Sequence, residues 1–319
     1  MKIYTSLEQV SQPHERACVT IGNFDGVHLG HQQLFSRVVE LARQSGGVSV
    51  AVTFDPHPLK VLSPKGIRLI STTEQKIELI ERAGVDELLL IPFSREMAAT
   101  SAEDFVEAIL LKGLGMTDLV VGYDYAMGKG RAGGTEFLRR QGQAKGFSVE
   151  VVPAFYAQGK LVSSSTIREL VSAGRMRDVR ALLGRYYQIR GEVQYGRQRG
   201  SGLLGYPTAN LRLLEEDLCP KRGVYVTQVI YDGKQYGGVS NIGYNPTFGE
   251  TTLVAETHIF DFNDDIYGRP LRINLLRHLR DECKFRTLED LIAQIGKDIA
   301  VAHRVLAREK EQGKNTETI

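Results

Sequence analysis

Apolar residues follow two different patterns along this chain, and the pattern changes near residue 185. Before that point, short apolar runs that predict strands alternate with segments of helical spacing. The predicted strands are residues 17–21, 48–54, 87–91, 119–121 and 149–152, and the predicted helices include 32–44, 73–83, 101–112 and 135–145. Strands that alternate with helices predict a parallel sheet covered by helices on both faces.

Beyond residue 185, strand patterns follow one another without helices between them. They occupy residues 187–194, 224–231, 236–241, 253–260 and 271–276. Turn pairs such as Asp232-Gly233, Asn245-Pro246 and Tyr267-Gly268 suit antiparallel connections, so we expect a closed or nearly closed antiparallel β-barrel. Apolar residues at helical spacing predict a terminal α-helix over 287–307 that packs on the barrel, and the charged residues 308–318 are expected to fray.

Length and composition agree with two domains. A chain of 319 residues that is 42% hydrophobic can bury two separate cores, which we place at residues 1–184 and 185–319. Its 40 basic and 38 acidic side chains leave a formal net charge of +2, unlike the strongly basic balance of a dedicated nucleic-acid binder. Any phosphate binding is therefore expected to be local.

Cysteine usage and the amino terminus indicate where the protein works. Three scattered cysteines, Cys18, Cys219 and Cys283, make no disulfide framework and suit a reducing compartment. The first residues carry no apolar secretion signal, and no apolar run is long enough to span a bilayer. We therefore expect a cytoplasmic protein with no membrane partner.

The run GNFDGVHLGH at residues 22–31 lies where the predicted strand 17–21 gives way to a helix. It places His28 and His31 three residues apart near a helix N-terminus, where unpaired N–H groups and the dipole attract phosphate. Two imidazoles there can donate hydrogen bonds to a phosphoryl group as negative charge builds. The pattern predicts a site that favours attack at a nucleotide's α-phosphate. The alternatives are a glycine-rich turn with incidental histidines, or a zinc site, for which the chain lacks a Cys-x-x-Cys pair.

Further motifs accompany this run: TFDPHP at residues 53–58, SSSTIR at 163–168, GYPTANL at 205–211, NIG at 241–243 and AETH at 255–258. With these motifs the chain resembles the bacterial bifunctional riboflavin kinase/FMN adenylyltransferases, also called prokaryotic FAD synthetases. The resemblance covers nearly the whole chain. It implies an α/β nucleotidyltransferase-like, Rossmann-type first domain with a parallel sheet, followed by a riboflavin kinase-like β-barrel with a terminal helix.

The resemblance also implies two activities. The barrel would phosphorylate riboflavin with ATP and Mg²⁺ to give FMN, and the first domain would adenylylate FMN with ATP to give FAD and pyrophosphate. The implied partners are the small molecules ATP, riboflavin and FMN, with no nucleic acid. A monomer or a weak homo-oligomer is expected.

In the first domain, the resemblance assigns ATP binding to the following residues: Gly22, Phe24, Asp25, Gly26, His28, His31, Asp124, Ser164, Thr166 and Arg168. His28, His31 and Arg168 are the implied catalytic residues. Arg168 is predicted in the first turn of a helix over 167–173, where the dipole disfavours a cation unless an anion lies nearby. Asp55 and His57 sit in a proline-restricted loop, and the resemblance implies a contact with the nucleotide or the flavin. A rigid turn alone would also explain that loop.

In the second domain, the implied ATP-binding residues are Gly200, Gly202, Gly205, Pro207, Thr208 and Asn210. Residues 200–205 match Gly-x-Gly-x-x-Gly, but Pro207 follows at once and no helix can begin there, so we interpret the segment as a loop over a nucleotide. Thr208 and Asn210 would hold Mg²⁺ with neutral oxygens, and Glu256 would be the general base. Arg277 and Arg280 would border the flavin.

Two other functions remain open at this point. A monofunctional nucleotidyltransferase with a purely structural β-domain would explain the His-x-x-His motif, but not the Pro-Thr-Ala-Asn segment at 207–210. A nucleic-acid-binding protein could use the barrel as a docking platform, although the near-neutral charge disfavours it.

Overall fold

The structure, a computed structural model, describes residues 1–195, 206–244 and 253–314. The chain divides into two compact units, Met1–Thr166 and Ile167–Ile319. Residues 167–184, which the sequence analysis assigned to the first domain, are therefore grouped with the second unit. Within that unit, the helix Met176–Leu183 packs on barrel strands, which explains the grouping.

The strands of the first unit are β1 (Lys2–Tyr4), β2 (Ala17–Ile21), β3 (Val48–Asp55), β4 (Glu87–Pro92), β5 (Met116–Gly122), β6 (Ala126–Met127), β7 (Gly133–Gly134), β8 (Ser148–Val152), β9 (Tyr156–Ala157) and β10 (Lys160–Leu161). Among the described residues, the α-helices are α1 (Leu29–Ser45), α2 (Pro58–Leu62), α3 (Thr73–Arg82), α4 (Arg95–Ala99), α5 (Ala102–Asp104), α6 (Thr135–Lys145), α7 (Ser164–Ser172), α8 (Met176–Leu183) and the terminal α9 (Leu288–Lys314). A π-helix, Phe105–Gly113, continues directly from α5.

The first unit contains the predicted parallel sheet, in the order β1-β4-β3-β2-β5-β8. From β2 the chain first adds β3 and β4 on one side and then returns to add β5 and β8 on the other. The strand order therefore reverses between β2 and β5. In open sheets of this kind, ligands bind beyond the carboxyl ends of the strands at such a reversal. The loop that follows β2, residues 22–28, lies at that place.

Both faces of the sheet are covered, as the alternation of strands and helices predicted. On one face, Phe35 and Val38 of α1 and Ile80 of α3 pack against side chains such as Ala51. On the other face, residues of the π-helix and α6, including Phe105 and Leu138, pack against strand residues that include Val19, Val50 and Leu119. Because the strands are buried on both sides, they read as continuous apolar runs.

Among the described residues of the second unit, six antiparallel strands close into a barrel in the order β11-β12-β15-β14-β13-β16. The strands are β11 (Tyr187–Gln194), β12 (Ala209–Arg212), β13 (Gly223–Tyr231), β14 (Lys234–Tyr244), β15 (Leu253–Ile259) and β16 (Pro270–Arg280). The predicted turn Asp232-Gly233 is confirmed, because both residues have positive φ, as a tight hairpin requires. The predicted fold class is confirmed for both halves.

The terminal helix α9 packs on the outside of the barrel. Val224, Val226 and Val239 form one apolar cluster with Ala302 and Val305 of α9. The helix continues to Lys314, so the expectation of fraying from residue 308 is wrong for residues 308–314. Contacts of the helix at Glu309, described below, hold this part in place. Within the described residues, no helix combines the length and the apolar character needed to cross a membrane.

Candidate active sites

The two histidines of the first motif lie together at the N-terminus of α1. His28 is the N-cap residue, and its Nδ1 accepts a hydrogen bond from the His31 backbone N–H at 3.3 Å. This bond leaves Nε2 as the protonated nitrogen of a neutral ring, which suits donation to a phosphate oxygen. The two imidazoles stack with centroids 3.5 Å apart, and the edge of the Phe24 ring meets His31. The structure therefore brings His28, His31 and Phe24 together, as the motif predicted.

The loop before His28 is held in an unusual backbone conformation. Phe24 and Val27 are both buried and have positive φ values of 50° and 39°, which a β-branched residue such as Val27 rarely adopts. Gly26 has φ 81°, and a Cβ there would lie 2.8 Å from Ile70 Cγ2. Conformations of this kind persist where the surrounding structure imposes them, and they concentrate at ligand sites.

Asp25 ties this loop to a distant segment of the chain. Its buried carboxylate accepts hydrogen bonds from the backbone N–H groups of Ile70 at 3.0 Å and Ser71 at 3.3 Å. Ser71 Oγ in turn accepts a bond from the Gly26 N–H at 3.1 Å. The side chain of Asp25 thus shapes the loop, while its ATP-binding role stays a prediction.

The TFDPHP motif ends β3 and enters the same edge of the sheet. Asp55 accepts a hydrogen bond from Thr73 Oγ1 at 2.9 Å, which joins the motif to the start of α3. His57 is buried and caps α2, because its Nδ1 accepts a bond from the Leu59 N–H at 3.1 Å. The loop is therefore rigid, and His57 has a local structural task whatever else it contacts.

A buried lysine that the sequence analysis missed supports the contact between this motif and the first loop, through Thr53. Lys76 is only 6% exposed, and its Nζ donates to Thr53 Oγ1 at 3.3 Å and to the Phe54 carbonyl at 3.1 Å. Thr53 Oγ1 donates to the Asn23 carbonyl in the first loop at 3.2 Å. Burial lowers the pKa of Lys76, and the carboxylates of Asp55 and Asp25 oppose that shift. The sequence did contain one indication that Lys76 is buried: it precedes Ile80 by four residues and so lies on the apolar face of α3.

Asp124 and the serine motif follow other strand ends. Asp124 is exposed just after β5, and its backbone carbonyl accepts a bond from Arg131. Ser164 Oγ donates to the Asp25 carbonyl at 3.0 Å, which brings the serine motif to the first loop. Ser163 caps α7 through the Thr166 N–H at 3.2 Å.

The helix after this motif begins earlier than predicted. Because Ser163 provides the cap, α7 starts at Ser164 rather than at residue 167. Arg168 is therefore in the second turn, not the first, and the argument from the helix dipole loses most of its force. Arg168 belongs to the part of α7 that is grouped with the second unit, and its predicted role as a phosphate ligand stays a prediction.

In the barrel, three polar residues that the motifs supplied lie in one cross-strand row. Asn210 of β12 is directly opposite Glu256 of β15, and Glu256 is directly opposite Asn241 of β14. Val224 of β13 extends the row and packs beneath α9, so the row lies on the outer face of the barrel. Directly opposed side chains have Cβ atoms about 5 Å apart. The structure therefore brings Asn210 and Glu256 together, as a shared site requires.

The donor set around this row fits a magnesium ion. Thr208 is two residues before Asn210 and lies just outside β12, and an extended backbone there would place both side chains on one side. Asn210 is buried, and its Nδ2 donates to the Thr208 carbonyl at 3.4 Å, which leaves the amide oxygen Oδ1 as the group available for a cation. A hydroxyl and an amide oxygen, completed by phosphates and water, match the preference of Mg²⁺. The Pro207 carbonyl pairs with His258 Nδ1 at 2.9 Å, which fixes the start of this segment.

The other predicted residues of the second domain do not join this row. Gly200, Gly202 and Gly205 lie outside the described residues. Arg280 forms a paired contact with Asp298 of α9, with Nη2 2.8 Å from Oδ2, and lies over the Phe285 ring. Arg277 is exposed on β16, a strand that pairs with β11 and β13 and not with β12 or β15. The structure does not bring Arg277 and Arg280 to a common ligand, and their flavin contacts stay predictions.

Comparison with known proteins matches a different family model to each half of the chain. A family model described as FAD synthetase matches residues 10–166, and one described as riboflavin kinase matches residues 183–306. A curated relative from Pseudomonas fluorescens, named bifunctional riboflavin kinase/FMN adenylyltransferase, is 38% identical over 93% of this chain and 95% of its own. A relative of the same name from Escherichia coli (strain K12) is 34% identical over 93% of this chain and 96% of its own.

Among solved structures, one described as a macrolide-efflux protein from Streptococcus pneumoniae is similar over nearly the whole chain. It is 31% identical with a TM-score of 0.83, and the match covers 95% of this chain and 98% of that one. The folds of both units therefore occur together in one solved chain of comparable length.

Proposed function

Because the chain belongs to the family of bifunctional riboflavin kinase/FMN adenylyltransferases, we propose that it makes FAD from riboflavin in two ATP-dependent steps. The second unit phosphorylates riboflavin to FMN, and the first unit adenylylates FMN. The observation that carries this proposal is the presence of both family matches, in this order, in one chain. The geometry of the two sites supports it.

In the first unit, a phosphate oxygen of FMN attacks the α-phosphorus of ATP. A new P–O bond forms, the bond from the α-phosphorus to the bridging oxygen breaks, and pyrophosphate leaves. The attacking phosphate is already ionised, so the site needs orientation and charge stabilisation rather than a strong base. His28 and His31 supply stacked imidazoles at a helix N-terminus, and Ser164 is tied to the same loop. Thr166 and Arg168 are the further phosphate ligands that we propose.

In the second unit, the 5′-hydroxyl of riboflavin attacks the γ-phosphorus of ATP. Glu256 accepts the hydroxyl proton as the new P–O bond forms, and ADP leaves. Thr208 and Asn210 would hold Mg²⁺, which neutralises charge on the phosphates when it is bound. The register that places Asn210 opposite Glu256 supports this arrangement, because it puts the base beside the metal ligands.

The proposed substrates are small molecules, and no nucleic acid or membrane takes part in either step. Location in the cytoplasm and a monomeric or weakly associated state stay predictions from the sequence. The macrolide-efflux description of one solved relative supplies no second proposal, because no feature of the two sites favours macrolide transport.

A product analysis tests the proposed function. Purified protein is incubated with riboflavin, ATP and Mg²⁺, and riboflavin, FMN and FAD are separated by chromatography over time. We expect FMN to appear first and FAD to follow, with ADP from the first step and pyrophosphate from the second. FMN without any FAD would contradict the proposed adenylyltransferase step, and the absence of both flavin nucleotides would overturn the whole proposal.

A further inference from the structure

A surface cavity of about 310 Å³ in the second unit is lined almost entirely by charged side chains. Arg177 and Arg180 come from α8, Arg277 comes from β16, and Val305, Arg308 and Glu309 come from α9. None of these residues belongs to the row of Asn210, Glu256 and Asn241. Arg277 has a predicted flavin contact, and the proposed kinase and adenylyltransferase steps give the other five lining residues no task.

The cavity has one rigid wall. Arg180 donates to Glu309 Oε2 at 2.6 Å, and the hydroxyl of Tyr186 donates to the same oxygen at 2.7 Å. The guanidinium of Arg180 also lies over the Tyr186 ring, 4.3 Å from its centroid. Three side chains thus fix one another, so Arg180 is held in place before any ligand arrives.

The hydrogen bonds that Glu309 accepts both come from that wall, and its single negative charge offsets only one of the four arginines that line the cavity. Burial raises the pKa of the Glu309 carboxyl, but hydrogen bonds from Tyr186 and Arg180 and the nearby charges of Arg180 and Arg177 outweigh it and hold the pKa below its ordinary value. The carboxylate is therefore ionised at neutral pH, and its charge is matched by Arg180. The lining keeps a net three positive charges.

The other three arginines have no strong partner of their own. Among the described residues, the side chains of Arg177, Arg277 and Arg308 form neither a hydrogen bond nor an ion pair. Arg177 stands one helical turn from Arg180 and in the first turn of α8, where like charge and the helix dipole both oppose a cation. An anion in the cavity would offset both the repulsion between Arg177 and Arg180 and the unfavourable interaction of Arg177 with the helix dipole.

We propose that this cavity binds a chain of two or three phosphoryl groups. Guanidinium groups present paired N–H donors that match phosphate oxygens, and four of them converge here from three separate elements. The volume is at the lower end of ligand pockets, so it suits a phosphate chain better than a whole nucleotide. The chain can be inorganic or can belong to a nucleotide whose base remains outside. Binding would join α8, β16 and α9.

Calorimetry with the full-length protein tests this site. Inorganic triphosphate is titrated into the wild type and into the double variant Arg177→Gln/Arg308→Gln, which leaves the Arg180, Glu309 and Tyr186 contacts intact. We expect saturable binding to the wild type that the double variant weakens at least tenfold, because charge-assisted hydrogen bonds to phosphate are lost. Parallel titrations with ATP distinguish an inorganic phosphate chain from that of a nucleotide. If the double variant weakens the binding of ATP but not that of inorganic triphosphate, the site is specific for nucleotides.

Two control proteins separate the cavity from other phosphate sites. Arg304→Gln removes an exposed arginine of α9 that does not line the cavity, and it should bind inorganic triphosphate as the wild type does. His28→Ala alters the first unit and should bind inorganic triphosphate at the cavity as the wild type does. Inorganic triphosphate should also raise the melting temperature of the wild type more than that of the double variant, since it binds only the folded state. Equal binding to the wild type and the double variant with both titrants, equal losses in Arg304→Gln, or no binding at all would overturn the proposal.

Discussion

Among single side chains, Lys76 has the least expected role. It is a buried lysine that supports, through Thr53, the contact between two motif loops. It bonds to Thr53 and Phe54, and Thr53 bonds on to Asn23 in the histidine loop. We expect Lys76→Met to lower kcat for FMN adenylylation by about tenfold to a hundredfold, since small displacements of catalytic groups cost that much. Riboflavin phosphorylation is measured on the same sample.

The kinase step is an internal control for that variant, because its residues lie in the other unit. Lys112→Met, which removes an exposed lysine from the π-helix, is the matched control and should leave both steps unchanged. Equal losses of both activities in Lys76→Met would indicate general unfolding, and unchanged adenylylation would show that the lysine does not position the loops.

The histidine pair could be predicted from the sequence, but the support around it could not. The run at residues 22–31 fixes His28 and His31 locally, because a strand end and a helix start are both readable from short windows. The carboxylate of Asp25 bonds to Ile70, 45 residues away, and the positive φ of Val27 depends on such contacts. Interactions of that range leave no signal in a local pattern.

Among helices and strands, the pairing of β12 with β15 places Asn210, a proposed metal ligand, opposite Glu256, the proposed base. We expect Asn210→Ala to raise the Mg²⁺ concentration needed for riboflavin phosphorylation by about tenfold or more, because one oxygen ligand is removed. FMN adenylylation should keep its Mg²⁺ dependence. Asn263→Ala, at an exposed loop position, is the control. An unchanged Mg²⁺ requirement in Asn210→Ala would remove this residue from the metal site.

The junction of Tyr186 with α9 makes a prediction about pH. Burial, with the hydrogen bond to Glu309, raises the pKa of Tyr186 to about 12 from its ordinary 10.0. The folded state then keeps the proton that the unfolded state loses above pH 10, so this contribution to stability is complete below pH 10 and is lost as the pH rises through about 12. In Tyr186→Phe we expect a loss of about 1 kcal/mol at neutral pH, moderated by partial exposure.

Denaturant unfolding of the wild type and of Tyr186→Phe at a series of pH values measures that contribution. The difference in free energy of unfolding should be constant from neutral pH to 10 and should shrink towards zero near pH 12. A difference that grows with pH in this range would contradict the assigned direction of the pKa shift.

The kinds of element were readable from the sequence, whereas their register was not. Alternation predicted most of the barrel strands, but β12 was not among them, because it is only four residues long. The row of Asn210, Glu256 and Asn241 depends on how the barrel closes, which joins strands far apart in the chain. Helix ends were also difficult to place: Ser163 begins α7 early, and the Glu309 contacts extend the order of α9.

For the chain as a whole, the net charge of +2 conceals a strong local clustering of charge. The arginines of the cavity come from positions between 177 and 308, and only folding brings them together. Composition could therefore indicate that phosphate binding is local, but it could not indicate where. The division into two units has a further consequence, because it implies that each reaction can proceed without the other.

Complementation between two variants that each lack one of the two steps tests this central claim most directly. Glu256→Ala should convert FMN to FAD but leave riboflavin unchanged, and His28→Ala should stop at FMN when given riboflavin, ATP and Mg²⁺. We predict that neither variant alone makes FAD from riboflavin, and that an equimolar mixture does, with FMN passing through solution. A mixture that forms no FAD, or a single substitution that abolishes both steps in a folded protein, would contradict the account of two independent sites.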